Sequence, residues 1–257
     1  MIFGKNKSLV CFSPNPRAVA RILCCPCAGG GASMYRRWSQ LMPDVEVWVL
    51  NYPGRESRHD QPFADSVDAI VEPLLSQTDL LAGKPLLVYG HSFGALVAYR
   101  AAFRLQSGSL QPEAVLVSAR RAPHLAPPKR YDHLPKAEFL AELDRFGGIP
   151  EAIRRDPEMM DFYLPIIRAD LQLNDGYVNS EAEKVHAPVY LFSAQSDRVA
   201  TAEELDGWRH ATYSRFEHKV FEGGHFFIQE DAEGFTACIR AIMHTVLEQN
   251  DEDLIAF

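Results

Sequence analysis

The sequence predicts an α/β fold with a mostly parallel central sheet, helices on both faces and one helical insertion. Two observations carry this. Short apolar runs closed by Pro, Gly or Asn recur along the 257 residues, and segments of helical period separate them. Strands that alternate with helices form parallel sheets with right-handed crossovers. A chain of this length suits one undivided core, so a single domain over 1–257 is expected.

In chain order, residues 9–13 read as an antiparallel edge strand. Residues 21–25 form a strand that stops at Pro26 and opens into the loop Ala28-Gly29-Gly30-Gly31. A helix over 33–41 follows, then a strand over 45–51 closed by Pro53-Gly54. Residues 65–81 have helical period. Residues 86–89 are a continuous apolar run, as a central strand buried on both faces requires. The helix over 94–106 carries small residues on one side, which suits close packing on a sheet. Residues 114–118, 189–193 and 218–221 read as further strands of that buried kind, and helices over 202–210 and 230–249 complete the pattern. The rhythm breaks between about 122 and 184, where no strand pattern occurs. Pro123, Pro127, Pro128 and Pro135 open this segment, and helical pieces follow at 136–146, 150–155 and 157–174. A structureless loop of that length is uncommon in a compact domain, so a helical insertion is expected. It follows the C-terminal end of a strand, the edge where open α/β sheets hold ligands. It is therefore placed to act as a lid.

Composition narrows the function. Hydrophobic residues make up 47% and charged residues 23%, the balance of a soluble globular protein. No run approaches the roughly 18 apolar residues of a membrane span. Residues 1–7 hold two lysines with no apolar h-region behind them, so no signal peptide is read and a cytoplasmic protein is expected. A net charge of -8 argues against a nucleic-acid partner, which needs a basic face. The cysteines are Cys11, Cys24, Cys25, Cys27 and Cys238. The Cys24/Cys27 spacing raises a redox or metal site, but no second ligand pair stands at suitable spacing. Small thiols filling a buried strand end are the better reading. No metal and no resident cofactor are expected.

Residues 86–89, the turn Gly90-His91-Ser92-Phe93-Gly94 and residues 95–99 read as strand, tight turn and helix. In that setting G-x-S-x-G marks a nucleophile elbow, and with it an α/β-hydrolase fold. Ser92 is the expected nucleophile. The strained turn demands neighbours without side chains two positions either side. The adjoining helix N-terminus favours developing negative charge.

A serine hydroxyl needs a base, and in this fold the order is Ser, Asp or Glu, His. Of the nine histidines, His210, His218, His225 and His244 lie in the last quarter of the chain. His225 follows the strand at 218–221 after Gly223-Gly224 and so reaches the C-terminal sheet edge. The other three sit on helices or at a strand start and read as surface or packing residues. The strand at 114–118 is followed by Ala119-Arg120-Arg121, without a carboxylate. The strand at 189–193 is followed by Ala194-Gln195-Ser196-Asp197, so Asp197 is the expected acid. Asp170 and Asp175 are rivals in composition only, and read as solvated or as binding the lid. An oxyanion hole needs two backbone N–H groups. One is Phe93; Ala28 is the expected second, with Cys27 and Gly29 as alternatives. The glycine run at 29–31 lacks the Lys-Ser/Thr of a phosphate loop.

Further strings surround these residues: Pro26-Cys27-Ala28-Gly29-Gly30, Tyr35-Arg36-Arg37-Trp38 and Tyr52-Pro53-Gly54-Arg55-Glu56-Ser57-Arg58. The insertion carries Arg120-Arg121-Ala122-Pro123-His124, Leu134-Pro135, Phe139-Leu140, Gly147-Gly148-Ile149-Pro150 and Leu164-Pro165-Ile166-Ile167-Arg168-Ala169-Asp170. Gly223-Gly224-His225-Phe226-Phe227 closes the set. From about residue 22 to 247 the chain resembles the type II thioesterases that accompany nonribosomal peptide and polyketide synthases, and their relative in fatty acid synthesis. The resemblance places the family's triad on Ser92, Asp197 and His225. It implies hydrolysis of acyl groups from the phosphopantetheine arm of acyl or peptidyl carrier protein domains, clearing stalled or wrongly primed carriers. Cys27 stands where the family usually has an aromatic residue or histidine, and Arg198 where proline is common.

A general carboxylesterase or an acyltransferase would use the same triad, and the insertion strings favour the thioesterase. A non-catalytic binding module would lack a triad member, and none is missing. The expected protein is a monomer that meets carriers, not nucleic acid or membrane. Carriers are usually acidic, so Arg36-Arg37, Arg120-Arg121 and Lys129-Arg130 are read as basic clusters for docking.

Overall fold

The strands are built to be covered twice. In the sheet's interior strands successive residues point to opposite faces, and both sets are apolar, so each face needs its own layer of helices. The computed structural model describes residues 8–127, 129–147, 149, 151–180 and 183–255. Readings made on residues 1–7, Pro128, Gly148 and Pro150 lie outside them.

Among the described residues one sheet contains β1 (Leu9–Cys11), β2 (Ala20–Cys25), β3 (Val45–Leu50), β4 (Leu86–His91), β5 (Ala114–Ser118), β6 (Val189–Ala194) and β7 (Phe216–Phe221). Its spatial order is β1-β3-β2-β4-β5-β6-β7. β1 runs antiparallel to β3, and every other pairing is parallel. The connections carry α1 (Trp38–Leu41), α2 (Val67–Leu75), α3 (Phe93–Leu105), α4 (Lys136–Phe146), α5 (Glu151–Arg154), α6 (Pro157–Gly176), α7 (Ala202–Asp206), α8 (Phe227–Glu230) and α9 (Ala232–Ile255).

Leu23, Val88, Val117 and Leu191 enter one core with Ile70 and Val71 of α2 and Leu96 and Val97 of α3. Ile22, Tyr89, Leu116 and Phe192 enter the other, with Trp38 of α1 and Phe235, Ile239 and Met243 of α9. Each such fully buried side chain contributes about 1.5–3 kcal/mol, so both helical layers are held by the same strands. Local signals set the helix starts. Ser66 Oγ accepts the Ala69 N–H at the head of α2. Asp156 caps α6, with Pro157 at its first position.

Several elements differ from the sequence reading. The helix expected at 33–41 splits into a 3₁₀ turn, Ala32–Tyr35, and α1; that at 65–81 ends at Leu75, with a 3₁₀ turn at Thr78–Leu80. The segment 202–210 divides into α7 and a 3₁₀ stretch, Gly207–Ala211. The last helix breaks at Asp231, whose Oδ1 accepts the Gly234 N–H at 2.9 Å and so starts α9 afresh. The larger correction concerns β7. It was expected to be buried like β4, yet Glu217, His218, Lys219 and Val220 are all exposed. β7 is the last strand of the sheet, and charged side chains on such an edge discourage pairing with other chains.

Between β5 and β6 the described residues hold α4, α5 and α6 and no strand. Phe139 and Leu143 of α4 form a third, smaller core with Met160, Leu164, Ile167 and Leu171 of α6. Ala28, on the loop after β2, packs against it, so the insertion covers the C-terminal sheet edge there. No helix among the described residues is long and apolar enough to cross a membrane.

Candidate active site

β4 ends at His91 and α3 begins at Phe93, which leaves Ser92 alone to turn the chain. Its φ of 54° and ψ of −122° are strained for a residue with a side chain. The glycines make the turn possible. A Cβ on Gly90 would lie 1.8 Å from the Gly94 carbonyl oxygen, and one on Gly94 would lie 2.0 Å from that of Cys25. The Ser92 N–H donates to the Ser118 carbonyl at 2.8 Å, tying the elbow to the end of β5.

The loops after β6 and β7 converge on this serine. His225 Nε2 lies 3.1 Å from Ser92 Oγ, and His225 Nδ1 lies 2.9 Å from Asp197 Oδ2. A carboxylate only accepts, so Nδ1 carries the proton and Nε2 is left to accept from the serine hydroxyl. Asp197 is fixed in turn, its Oδ1 accepting the Val199 N–H at 2.9 Å. The side chains of His225 and Asp197 are both 6% exposed, so water does not compete for their contact. A hydroxyl, an imidazole and a carboxylate in this order can generate an alkoxide-like nucleophile.

Ala28, Ser92 and His225 line one pocket, whose walls include Leu143, Phe146, Ile167 and Leu171 from the insertion. The loop beside Ser92 is fixed from several sides. Tyr35 and Tyr52 donate their hydroxyls to the carbonyls of Cys25 and Pro26 at 3.1 and 3.0 Å. Gly29, an alternative to Ala28 as oxyanion donor, has its N–H taken by Asp170 Oδ2 at 2.8 Å. That removes it from the choice.

A family model described as Thioesterase domain matches residues 20–246. The chain belongs to the thioesterase family. This thioesterase is 35% identical over 223 residues to thioesterase PikA5 of Streptomyces venezuelae, covering 85% of this chain and 79% of that one. It is 34% identical to the gramicidin S biosynthesis protein GrsT of Aneurinibacillus migulanus, covering 88% and 89%. Among solved structures it is similar to the type II thioesterase BorB of the borrelidin cluster, with a TM-score of 0.83, 28% identity and coverage of 93% and 98%. The type II thioesterase YbtT of the yersiniabactin pathway gives 0.81, 29%, 91% and 96%. The thioesterase is thus a thioester hydrolase close to the type II enzymes of nonribosomal peptide and polyketide clusters.

The thioesterase also places residues that the sequence reading misjudged. Asp170 and Asp175 were read as solvated or lid-binding; burial rules out the first and the contacts bear out the second, Asp170 joining the insertion to the body through Arg55 and Asp175 Oδ2 accepting the Tyr131 N–H at 2.8 Å within it. Arg120 and Arg121, read as a docking cluster, are also buried. Arg120 Nε donates to Asn174 Oδ1 at 2.8 Å and Arg121 Nε to the Leu125 carbonyl at 3.0 Å. They anchor the two ends of the insertion and are not available to a partner. Arg36, Arg37, Lys129 and Arg130 are exposed. Cys24, Cys25 and Cys27 are buried at the end of β2 and beyond, and burial pushes the Cys27 thiol up to about 12. His91 went unremarked, although it lies within the serine motif. Its Nδ1 is 2.9 Å from Ser118 Oγ and its ring centre 5.1 Å from that of His225. Burial, then the neighbouring His225, hold its pKa well below the usual value, so it adds no charge beside His225.

Proposed function

We propose that Ser92, His225 and Asp197 hydrolyse acyl groups from the phosphopantetheine arm of carrier proteins, removing aberrant or stalled acyl units during nonribosomal peptide or polyketide synthesis. The observation that carries the reading is the hydrogen-bonded chain from Asp197 through His225 to Ser92, at the wall of an apolar pocket covered by the insertion. Ser92 Oγ attacks the thioester carbonyl while His225 Nε2 takes its proton. The Phe93 and Ala28 N–H groups hold the oxyanion. The thiol leaves as a thiolate, whose conjugate acid has a pKa of about 8.5, so it asks little of an acid. The departing thiolate takes the proton from His225, which is then free to accept one from water as it attacks the acyl carbon; that proton passes to Ser92 Oγ as the acyl group leaves as a carboxylic acid. Asp197 stays ionised and stabilises the imidazolium in both halves.

In this reading the protein is one hydrolase domain whose insertion over about 122–184 is the lid. The substrate brings its own phosphopantetheine, and no resident cofactor or metal is called for. The partner is an acyl or peptidyl carrier domain, and the site of action is the cytoplasm. Arg36-Arg37 and Lys129-Arg130 remain as basic clusters for docking. The test is incubation of acyl-carrier protein with wild type and with Ser92→Ala, followed by mass. Wild type is expected to return the free phosphopantetheine thiol and the variant to leave the acyl group in place; equal loss in both refutes the reading.

A further inference from the structure

We propose that Arg55 and Asp170 form a buried charged latch that positions the oxyanion loop, making α6 of the insertion and the loop after β2 one rigid unit. The inference rests on the catalytic reading above. Arg55 Nη1 lies 2.5 Å from Asp170 Oδ2, and Nη2 lies 2.7 Å from Oδ1, a bidentate pair with side chains 5% and 3% exposed. Each partner also holds the loop. Asp170 Oδ2 accepts the Gly29 N–H at 2.8 Å, and Arg55 Nη1 donates to the Gly30 carbonyl at 3.3 Å. These are the two residues directly after Ala28. The loop also lies close against α6, where a Cβ on Gly29 would be 2.4 Å from Ile167 Cγ1.

Stability alone is a poor reason for such a pair. Replacing a buried ion pair by apolar groups is often neutral, whereas fixing a register is a role that suits it. Here the carboxylate orients a peptide next to the one whose N–H meets the oxyanion. An unneutralised carboxylate in that place would repel the charge the hole is built to receive. Arg55 removes that repulsion. Arg55 and Asp170 are therefore positioning residues, acting on the transition state through the peptides after Ala28.

The test uses Arg55→Met, Asp170→Asn and the double variant, each read by two rates. One is kcat and KM on an acyl-pantetheine thioester; the other is phosphonylation of Ser92 by a fluorophosphonate. Arg55→Met strands the anion, so both kcat and phosphonylation are expected to fall on the order of ten- to a hundredfold, with KM within about threefold. Asp170→Asn strands the cation and loses less. The double variant has no stranded charge and its asparagine still offers an oxygen to the Gly29 N–H, so it recovers the part of the loss owed to the stranded anion, but without the fork it stays below wild type. Arg55→Lys keeps the charge but not the fork, falls between, and serves beside Asp170→Asn if Arg55→Met does not fold. Phosphonylation of Arg55→Met at the wild-type rate overturns the latch. So does a loss that the double variant fails to relieve, which is the behaviour of lost packing. Fast labelling of wild type without thioester turnover refutes the proposed substrate and leaves the latch standing.

Discussion

Replacing Asp197 by Asn probes the proposed triad where solvent has least access. Asp197 Oδ2 is 2.9 Å from His225 Nδ1, with both side chains 6% exposed. When His225 accepts the Ser92 proton, an imidazolium forms against that carboxylate. Two unit charges about 4 Å apart interact by about 4 kcal/mol at an effective dielectric of about 20. At about 1.4 kcal/mol per factor of ten, kcat is expected to fall about a thousandfold. The amide also offers N–H to Nδ1 and selects the wrong tautomer, which in the serine-protease arrangement brings the loss to about ten-thousandfold. Asparagine keeps the volume and an oxygen for the Val199 N–H, now accepted at 2.9 Å, so the fold is expected to persist. The assay is single-turnover acylation by an acyl-pantetheine thioester, with the thermal midpoint measured alongside. An Asp197→Asn enzyme that keeps more than about a tenth of wild-type kcat refutes the assignment, because the charge interaction worked out above is far larger than that.

Three other outcomes follow from the geometry. Gly94→Ala drives a Cβ to 2.0 Å from the Cys25 carbonyl oxygen, and neither backbone yields easily. Its unfolding free energy in urea is expected to drop by roughly 3 kcal/mol or more, and a drop under about 1 contradicts the elbow packing. Cys11, Cys24, Cys25 and Cys27 are buried and only Cys238 is part-exposed. Burial pushes the Cys11 and Cys27 thiols up to about 11 and about 12 and raises those of Cys24 and Cys25 as well. A maleimide at about pH 8 is therefore expected to label Cys238 alone in the native protein, by mass, and rapid addition of a second label counts against the packing. The Arg100 hydrogen bond, at 2.8 Å, holds the Asp68 carboxyl below its usual range. A depressed carboxylate stabilises the fold above its unfolded pKa of about 3.9, and the contribution is lost as pH falls through the lower folded value. The thermal midpoint of wild type is thus expected to exceed that of Asp68→Asn near neutrality, by a few degrees at most given the exposed carboxylate. The gap should narrow as pH falls below about 3.9 and close only once pH is below the lower folded value, and a gap that stays constant defeats the assignment.

Much of the site was legible because its three side chains each follow a strand-like run at once. In a parallel sheet the strand ends lie together, so local periodicity brings Ser92, Asp197 and His225 to one edge whatever the chain length between them. The glycines at 90 and 94 were legible for a related reason: the elbow's constraint is contained in five residues.

Burial of charge was not legible. Arg120 and Arg121 read as surface because charged side chains are almost never buried unless paired, and Asn174, the residue both of them reach, is not local. Asn174 lies 54 residues beyond Arg120, and Asp170 lies 115 residues beyond Arg55. The exposure of β7 likewise depends on its place at the end of the strand order, which its own residues do not state. The sequence by itself determined the fold class, the elbow, and the three residues that meet at it, through patterns a few residues long. Only the tertiary structure decided that Asp170 takes the Gly29 N–H and leaves Cys27 and Ala28 beside the serine, because that contact exists only once the insertion has packed on the sheet.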